Sequence, residues 1–516
     1  MGEKSEAFPL RVAAIDIGSN AIRFFAAEFA DPDSHAVLEA ERSSVRLGHG
    51  VFLTGKLTRE AMDAAVGTIA EFKERMARLG VTKSRAVATS AVREATNGER
   101  FLARVKKETG IQIEMISGSE EARLVHLAVR NRVAMGKKQW LLVDLGGGSV
   151  EVSLADHDAI LWSESHTMGS VRLLEELADV GEEPGRFRRL LEEYVSTLRL
   201  PSVAEYRRPA GLIATGGNID ALARLSAVRQ GPGGSLAIPL AGLRAAIARL
   251  SGLSFRQRVD ELGLREDRAD VIVPAALVYE RLAVLAGVEE IHAPGVGVRE
   301  GVALDLADEA GTARSYRDRQ LQQVTAGAVA LGRHYMFDEG HGEHVARLAL
   351  SLFDQLRKLH GLGDADRRLL LAAAILHDIG SYVSYKRHHK HSLYLISNSE
   401  LPGFTPKDMT LVANIARYHR KSEPASDHDA FVALEPRDQR RVEGLASLLR
   451  MADALDREHS RKVDSVRAQV KNKRLVLHID GRGDLLLEKW ALERKSDFFR
   501  RVYGLAVVVE TTGESA

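Results

Sequence analysis

A duplicated pattern in the chain suits phosphate chemistry. Val12-Ala-Ala-Ile-Asp16-Ile-Gly18-Ser19-Asn20 and Leu141-Leu-Val-Asp144-Leu-Gly146-Gly147-Gly148-Ser149 share one grammar, an apolar run, an Asp and a small-residue turn, with the aspartates 128 residues apart. Successive N–H groups in a glycine turn form an anion-binding concavity, and a carboxylate ending the preceding strand can hold Mg²⁺ directly or through water. A third loop, Ala214-Thr215-Gly216-Gly217-Asn218, follows another strand-like run and opens a helix, whose N-terminus also favours anions. A single such turn reads as a plain hairpin, whereas three in this order favour a clamp on a phosphate chain. Gly50-Val-Phe-Leu-Thr-Gly55-Lys56-Leu57 comes within one residue of a P-loop, but Leu57 stands where the Mg²⁺-binding hydroxyl is required. It reads as a surface turn.

Two similar lobes are needed to position these turns. Each of the first two is followed by a second β-prone run, 22–29 and 150–154, so the local unit is strand, glycine turn, strand. The first lobe continues with a helix over 58–79, a strand over 84–89, a helix over 98–109 and a strand over 111–116. The second continues with a helix over 186–198, a strand over 212–215, a helix over 219–225 and a strand over 290–292, with Gly231-Pro-Gly-Gly234 as a loop. Helix-spaced Leu, Ala and Ile over 344–360, 367–378, 406–420 and 439–454 then predict a helical domain. Alternating runs over 466–470, 474–479, 484–488 and 505–510 predict a small α+β domain. The expected domains are residues 1–132, 133–310, 311–464 and 465–516.

Composition narrows the chemistry. With 516 residues, 45% hydrophobic and 28% charged, several well-packed domains are expected and a disordered chain is excluded. The absence of cysteine removes disulfides, thiolate metal sites and cysteine nucleophiles, and fits a reducing cytoplasm. Residues 1–10 lack an apolar signal core, Glu6 stands where a myristoylation signal wants Ser or Thr, and no apolar stretch is long enough to span a bilayer. Residues 311–516 carry 33 Lys and Arg against 27 Asp and Glu, while 1–310 carry 39 against 44. A mildly basic second half could guide an anionic ligand, or simply reflect surface variation.

Taken together, Asp16-Ile-Gly-Ser-Asn20 with Arg23, Ala88-Thr-Ser-Ala-Val-Arg93, Ile116-Ser-Gly-Ser-Glu120-Glu121-Ala122-Arg123, Asp144-Leu-Gly-Gly-Gly-Ser149 with Glu151, and Ala214-Thr-Gly-Gly217 resemble the exopolyphosphatase/guanosine pentaphosphate phosphohydrolase (PPX/GppA) family. The resemblance spans residues 11 to about 305 and implies an α/β fold of duplicated actin-like (ribonuclease H-like) lobes. Ala21 departs from the Ser of many members. Glu121 matches the family's water-activating glutamate; from the residues alone, Glu120 and Glu121 are not distinguished. Asp144 and Glu151 match metal-site carboxylates, with Asp16 a further candidate. Gly18, Ser19, Asn20, Gly146, Gly147, Gly148, Ser149, Gly216 and Gly217 would cradle phosphates, and Arg93 would add a guanidinium of bidentate geometry. Arg23 fits ligand contact and a salt bridge under the loop equally well.

The helical region is rich in histidine, holding nine of the chain's 18 between His334 and His419. The order His344, His377-Asp378, Asp453 resembles the HD phosphohydrolase superfamily, in which imidazole and carboxylate bind a divalent ion. His388, His389, His391 and His419 are further candidates, and a relic domain whose histidines serve only the core is the competing reading. Lys386-Arg-His-His-Lys390 and Arg417-Tyr-His-Arg-Lys421 offer a basic surface for a long polyanion, or merely a solvated face.

The resemblance implies a cytoplasmic exopolyphosphatase using Mg²⁺ or Mn²⁺, with a second divalent metal in the HD-like domain. It further implies a homodimer and activity extending to guanosine pentaphosphate, with no nucleic-acid or membrane partner. An ATP-dependent kinase of the same superfamily is the alternative enzyme, and Glu121 in its Gly-Ser-Glu-Glu-Ala setting argues against it. A non-catalytic polyphosphate or nucleotide sensor is the third reading, and retention of every expected carboxylate argues against that.

Overall fold

The apolar runs before the glycine turns form strands buried on both faces. In this computed structural model, residues 8–177, 185–200, 208–226, 228–311 and 313–511 are described, so most of the stretch read for targeting signals lies outside them. The chain divides into two compact units, residues 1–318 and 319–516.

The first unit is built on two sheets. Strands β1 (Leu10–Ile17), β2 (Ile22–Phe29), β3 (His35–Ser43), β4 (Lys83–Ala88) and β5 (Ile113–Met115) pair in the order β3-β2-β1-β4-β5. The second sheet contains β6 (Trp140–Leu145), β7 (Val150–Ala155), β8 (Ile160–His166), β9 (Leu212–Thr215), β10 (Arg229–Gln230), β11 (Leu236–Pro239) and β12 (Glu290–Ala293), ordered β10-β11-β12-β9-β6-β7-β8. The two hairpins are equivalent: Asp16 faces Arg23 across β1 and β2, and Asp144 faces Glu151 across β6 and β7, antiparallel in both. Each first strand also pairs in parallel with the strand on its other side, β4 or β9. This repeat is consistent with duplicated actin-like lobes.

Period-two alternation sends neighbouring side chains into different cores. Val12 and Ala14 join one cluster, Ala13, Ile15 and Ile17 another. Trp140 and Leu142 join the same cluster as Val12, while Leu141, Val143 and Leu145 face away from it. The helices Gly118–Arg132 and Val298–Ala310 fill the shared core and pack on each other.

The second unit is helical around one core, to which a three-stranded sheet contributes. Strands β13 (Val463–Lys471), β14 (Arg474–Gly481) and β15 (Ala506–Thr511) pair in chain order, and Leu475, Leu477 and Ile479 of β14 lie in the helical core. β14 and β15 are parallel, which requires a crossover, here the helix Leu486–Tyr503. The run over 484–488 is therefore not a strand. Asp484 accepts a hydrogen bond from the Leu486 N–H at 2.9 Å, turning the chain into that helix. The expected turn at 50–57 contains a one-turn helix, Val51–Thr54.

Gly301 allows the two central helices to meet, because a β-carbon there would lie 1.9 Å from the Leu124 carbonyl oxygen. Ala raises helix propensity by up to about 1 kcal/mol over Gly, but overpacking costs about 1–3 kcal/mol. Gly301→Ala is therefore expected to lower the melting temperature by several degrees in calorimetry. A rise would show that the helices separate without cost.

Candidate active site

Four segments of the first unit deliver polar groups to one cleft of about 290 Å³. Its lining includes Asp16, Gly18, Ser19 and Asn20 from the first hairpin, Glu121, then Asp144, Gly146 and Gly147 from the second hairpin, and Gly216 and Gly217 from the third loop. The turns approach closely: a β-carbon on Gly147 would lie 2.7 Å from the Ser19 β-carbon. The Gly146–Gly148 carbonyls accept from the N–H groups of Gly169, Ser170, Val171 and Arg172, leaving the opposite edge of the loop for a ligand. Gly216, at φ 96°, leads into the helix Gly217–Leu225, whose N-terminus faces the same space.

Glu121 lies in the first turn of the helix Gly118–Arg132, capped by Ser117, whose hydroxyl accepts from the Glu120 N–H. A β-carbon on Gly118 would lie 3.0 Å from that of Ser165 and 3.4 Å from Glu151 Oε1, so with any other residue the helix or Ser165 would have to give by a few tenths of an ångström. Glu121, Asp144 and Glu151 then converge, with one carboxylate oxygen from each within 4.8 Å of the others, all buried. Glu120 points elsewhere and pairs with Arg123 at 2.7 Å and Arg85 at 3.3 Å.

Concentrating three buried carboxylates carries an electrostatic cost. Burial, with the charges of Glu151 and Asp144, holds Glu121 well above the ordinary carboxylate range. Burial and the Asp144 charge push Glu151 up to about 7, against hydrogen bonds donated by Ser149 at 2.6 Å and Ser165 at 2.9 Å. Burial also raises Asp144, against the Thr215 hydroxyl, which donates at 2.6 Å. Glu121 Oε2 and Glu151 Oε2 are buried without a hydrogen-bond partner. Unsatisfied anionic oxygens gathered at one point suit a hard divalent cation such as Mg²⁺ or Mn²⁺.

The remaining expected residues divide between the cleft and its supports. Asp16 is paired with Arg23 at 2.7 Å, and both line the cleft. Arg93 donates to the Ile116 carbonyl at 2.6 Å, and its charge acts on Glu121 without its lining the cleft. Ser149 orients Glu151. Gly148 is a packing residue, since a β-carbon there would lie 2.4 Å from the Phe52 ring, on which Arg172 stacks.

Sequence reading missed the basic side of the cleft, Arg42, Arg224, Arg265, Arg268 and Arg299. Arg268 is buried, and burial with the charges of Arg23 and Arg42 pushes its guanidinium down to about 10, which marks a site poised for an anion. Gly217 makes room for it, because a β-carbon there would lie 2.5 Å from Arg268 Nη2.

In the second unit, His377, Asp378 and Asp453 converge as expected, but His344 does not join them. The helix Glu339–Gln355 presents His341 instead, whose Nε2 lies 3.2 Å from His377 Nε2. His344 Nδ1 accepts from Arg347 at 3.1 Å. The two histidines lie one turn apart, and Asp456, accepting from His341 Nδ1 at 2.8 Å, fixes which one faces His377.

Residues 30–310 match the Ppx/GppA phosphatase family, and residues 324–496 match Ppx/GppA phosphatase, domain III. Over 452 residues the chain is 28% identical to a guanosine-5'-triphosphate,3'-diphosphate pyrophosphatase of Aeromonas hydrophila, covering 85% of this chain and 86% of that protein. It is also similar to the crystal structure of an exopolyphosphatase from Cytophaga hutchinsonii, at 28% identity and a TM-score of 0.53, covering 58% of this chain and all of that one.

A pH dependence of stability follows from the carboxylate cluster. With its folded value near 7 and an unfolded value near 4.5, Glu151 keeps its proton longer in the folded state, so stability is lost as pH rises between those values. In chelator, the wild-type melting temperature should fall more steeply from pH 5 to pH 7.5 than that of Glu151→Gln. Excess Mg²⁺ should reduce the difference. Parallel curves in chelator would show that Glu151 titrates normally.

Proposed function

The chain belongs to the Ppx/GppA phosphatase family and is a phosphoanhydride hydrolase; from this premise we propose that it removes terminal orthophosphate from inorganic polyphosphate. The observation that carries this reading is the placement of Glu121, a buried carboxylate opposite glycine loops that can cradle a phosphate chain. Transfer of a terminal phosphoryl group needs an in-line nucleophile, a group to orient or deprotonate it, and positive groups to spread the developing charge. Loop N–H groups at Ser19, Asn20, Gly147 and the Gly217 helix start bind the anionic oxygens, while the Gly18 and Gly146 N–H groups close their own turns onto the Ala21 and Ser149 carbonyls. Arg268 and its neighbours balance charge further along the cleft. Glu121, its proton affinity raised by burial, accepts a proton from the attacking water as the water oxygen bonds to the terminal phosphorus; the bridging P–O bond breaks, the shortened chain leaves with the bridging oxygen, and the orthophosphate carries the new P–O bond.

Asp144 and Glu151, with Glu121 and Asp16 alongside, would hold the divalent cation. When bound, Mg²⁺ or Mn²⁺ neutralises charge on the transferring phosphoryl group. The same cleft can accept the 5′-triphosphate of guanosine pentaphosphate, a second substrate favoured by the Aeromonas relative that spans most of the chain. A cytoplasmic setting fits a chain without cysteine. Light scattering tests the homodimer.

Purified protein with Mg²⁺ is expected to release phosphate from polyphosphate, and from guanosine pentaphosphate in a parallel assay. Glu121→Gln should lower turnover by roughly 10²–10⁴-fold while retaining polyphosphate binding. Glu120→Gln, outside the cleft, should cost far less. If it proves the more damaging change, the base is misassigned; phosphate loss from ATP only with an added acceptor would identify a kinase.

A further inference from the structure

Asp144 and Glu151 sit in one row across the second sheet. Thr215 on β9 lies beside Asp144 on β6, Asp144 faces Glu151 on β7, and Glu151 faces Ser165 on β8, so hydroxyls close both ends of the row. Residues opposite one another on neighbouring strands carry their side chains on the same face, and register alone therefore brings hydroxyl, acid, acid and hydroxyl together.

The hydroxyls engage one oxygen of each acid. Thr215 donates to Asp144 Oδ1 at 2.6 Å, and the Tyr279 hydroxyl holds the Thr215 carbonyl at 2.9 Å. Ser149 and Ser165 both donate to Glu151 Oε1, at 2.6 Å and 2.9 Å. A carboxylate oxygen offers about two lone pairs, so this pair of donors saturates Oε1. Glu151 Oε2 is left buried and without a partner, and among the described residues no other hydrogen bond reaches the Asp144 carboxylate. Neutral hydroxyls fix the acids without adding a positive charge that would repel a cation. Glu121 is treated differently: among the described residues no hydrogen bond holds its carboxylate, which stays free to take a proton.

A carboxylate restricted to one oxygen can coordinate a cation only through that atom. Small, octahedral Mg²⁺ is satisfied by single oxygens, whereas Ca²⁺ takes more ligands and readily uses both oxygens of one carboxylate. We propose that Ser165 and Thr215 are positioning residues which, with Ser149, limit Asp144 and Glu151 to one free oxygen each and so make the cluster select Mg²⁺ over Ca²⁺. The inference rests on the hydrolase reading for the role of the cation, not for the geometry that selects it.

Calorimetric titration of the chelator-stripped full chain with Mg²⁺ and, separately, with Ca²⁺ tests this, the heat lost in Glu151→Gln marking binding at the cluster. The wild type is expected to bind Mg²⁺ more tightly than Ca²⁺. Thr215→Val, nearly the same shape without the hydroxyl, should weaken Mg²⁺ binding by roughly 10–100-fold, the usual effect of losing a ligand's hydrogen-bond partner, and Ca²⁺ binding far less. Thr215→Ser should restore the preference. Ser165 is exposed, so Ser165→Ala should fold normally and shift the preference the same way by a smaller factor. A wild type that does not prefer Mg²⁺, a preference unchanged in both hydroxyl-free variants, or an equal loss of both ions that Thr215→Ser fails to restore overturns the proposal, even where phosphate is released from polyphosphate. The expected shifts in a protein that releases no phosphate would support the proposal and overturn the hydrolase reading instead.

Discussion

Three carboxylates buried with oxygens within 4.8 Å of one another impose the strongest demand on the first unit. Glu121, Asp144 and Glu151 cannot all ionise there without a compensating charge, and removing any one carboxylate from water is expensive by itself. Hydroxyls of Ser149, Ser165 and Thr215 offset part of that cost. On the proposed reading, a divalent cation would offset the rest and bring the positive charge that phosphoanhydride cleavage requires. The stability of the site and its chemistry therefore draw on the same interaction.

Much of the surrounding architecture serves to bring this cluster together. The cluster draws on one strand end, the strand paired with it and the first turn of the helix Gly118–Arg132, where Gly118 leaves room for Ser165 and Glu151; around it, glycines at 147, 148 and 217 make room for Ser19, Phe52 and Arg268. Facing the acids is a basic wall in which Arg268 sits among other cations. Asp267 and Glu300 neutralise part of that wall through Arg42, Arg265 and Arg299, and Arg268 is left among cations with, among the described residues, only the Asn218 amide oxygen as its hydrogen-bond partner. On the proposed reading, acidic and basic sides together would favour a phosphate chain bound with its cation over either component alone.

The hairpins carrying Asp16 and Asp144 were legible because apolar alternation and a glycine turn specify register and reversal locally. The helix Ile272–Ala286 was not, since it is apolar nearly all round and shows no helical period, although its Tyr279 hydroxyl donates to the Thr215 carbonyl at 2.9 Å beneath the third loop. Arg268 in Arg265-Glu-Asp-Arg268 reads as a solvated charge run, and only its packing against Gly217 and Asn218 shows it buried. The same limit applies to His341 and His344, whose spacing permits either to face inward, and to the apolar run before Trp490, which begins a helix. Local pattern identified loops and acids; tertiary packing decided which polar side chains turned inward.

The acids of the first unit are expected to stay abnormally protonated until a cation enters. Carboxyl ¹³C NMR of glutamate-labelled protein, with resonances assigned through Glu121→Gln and Glu151→Gln, measures this directly. In cation-free protein both carboxyls should titrate well above the ordinary glutamate range, and saturating Mg²⁺ should move at least one of them sharply downward. Ordinary titration near 4.5 without cation, or no response to Mg²⁺, would contradict the account.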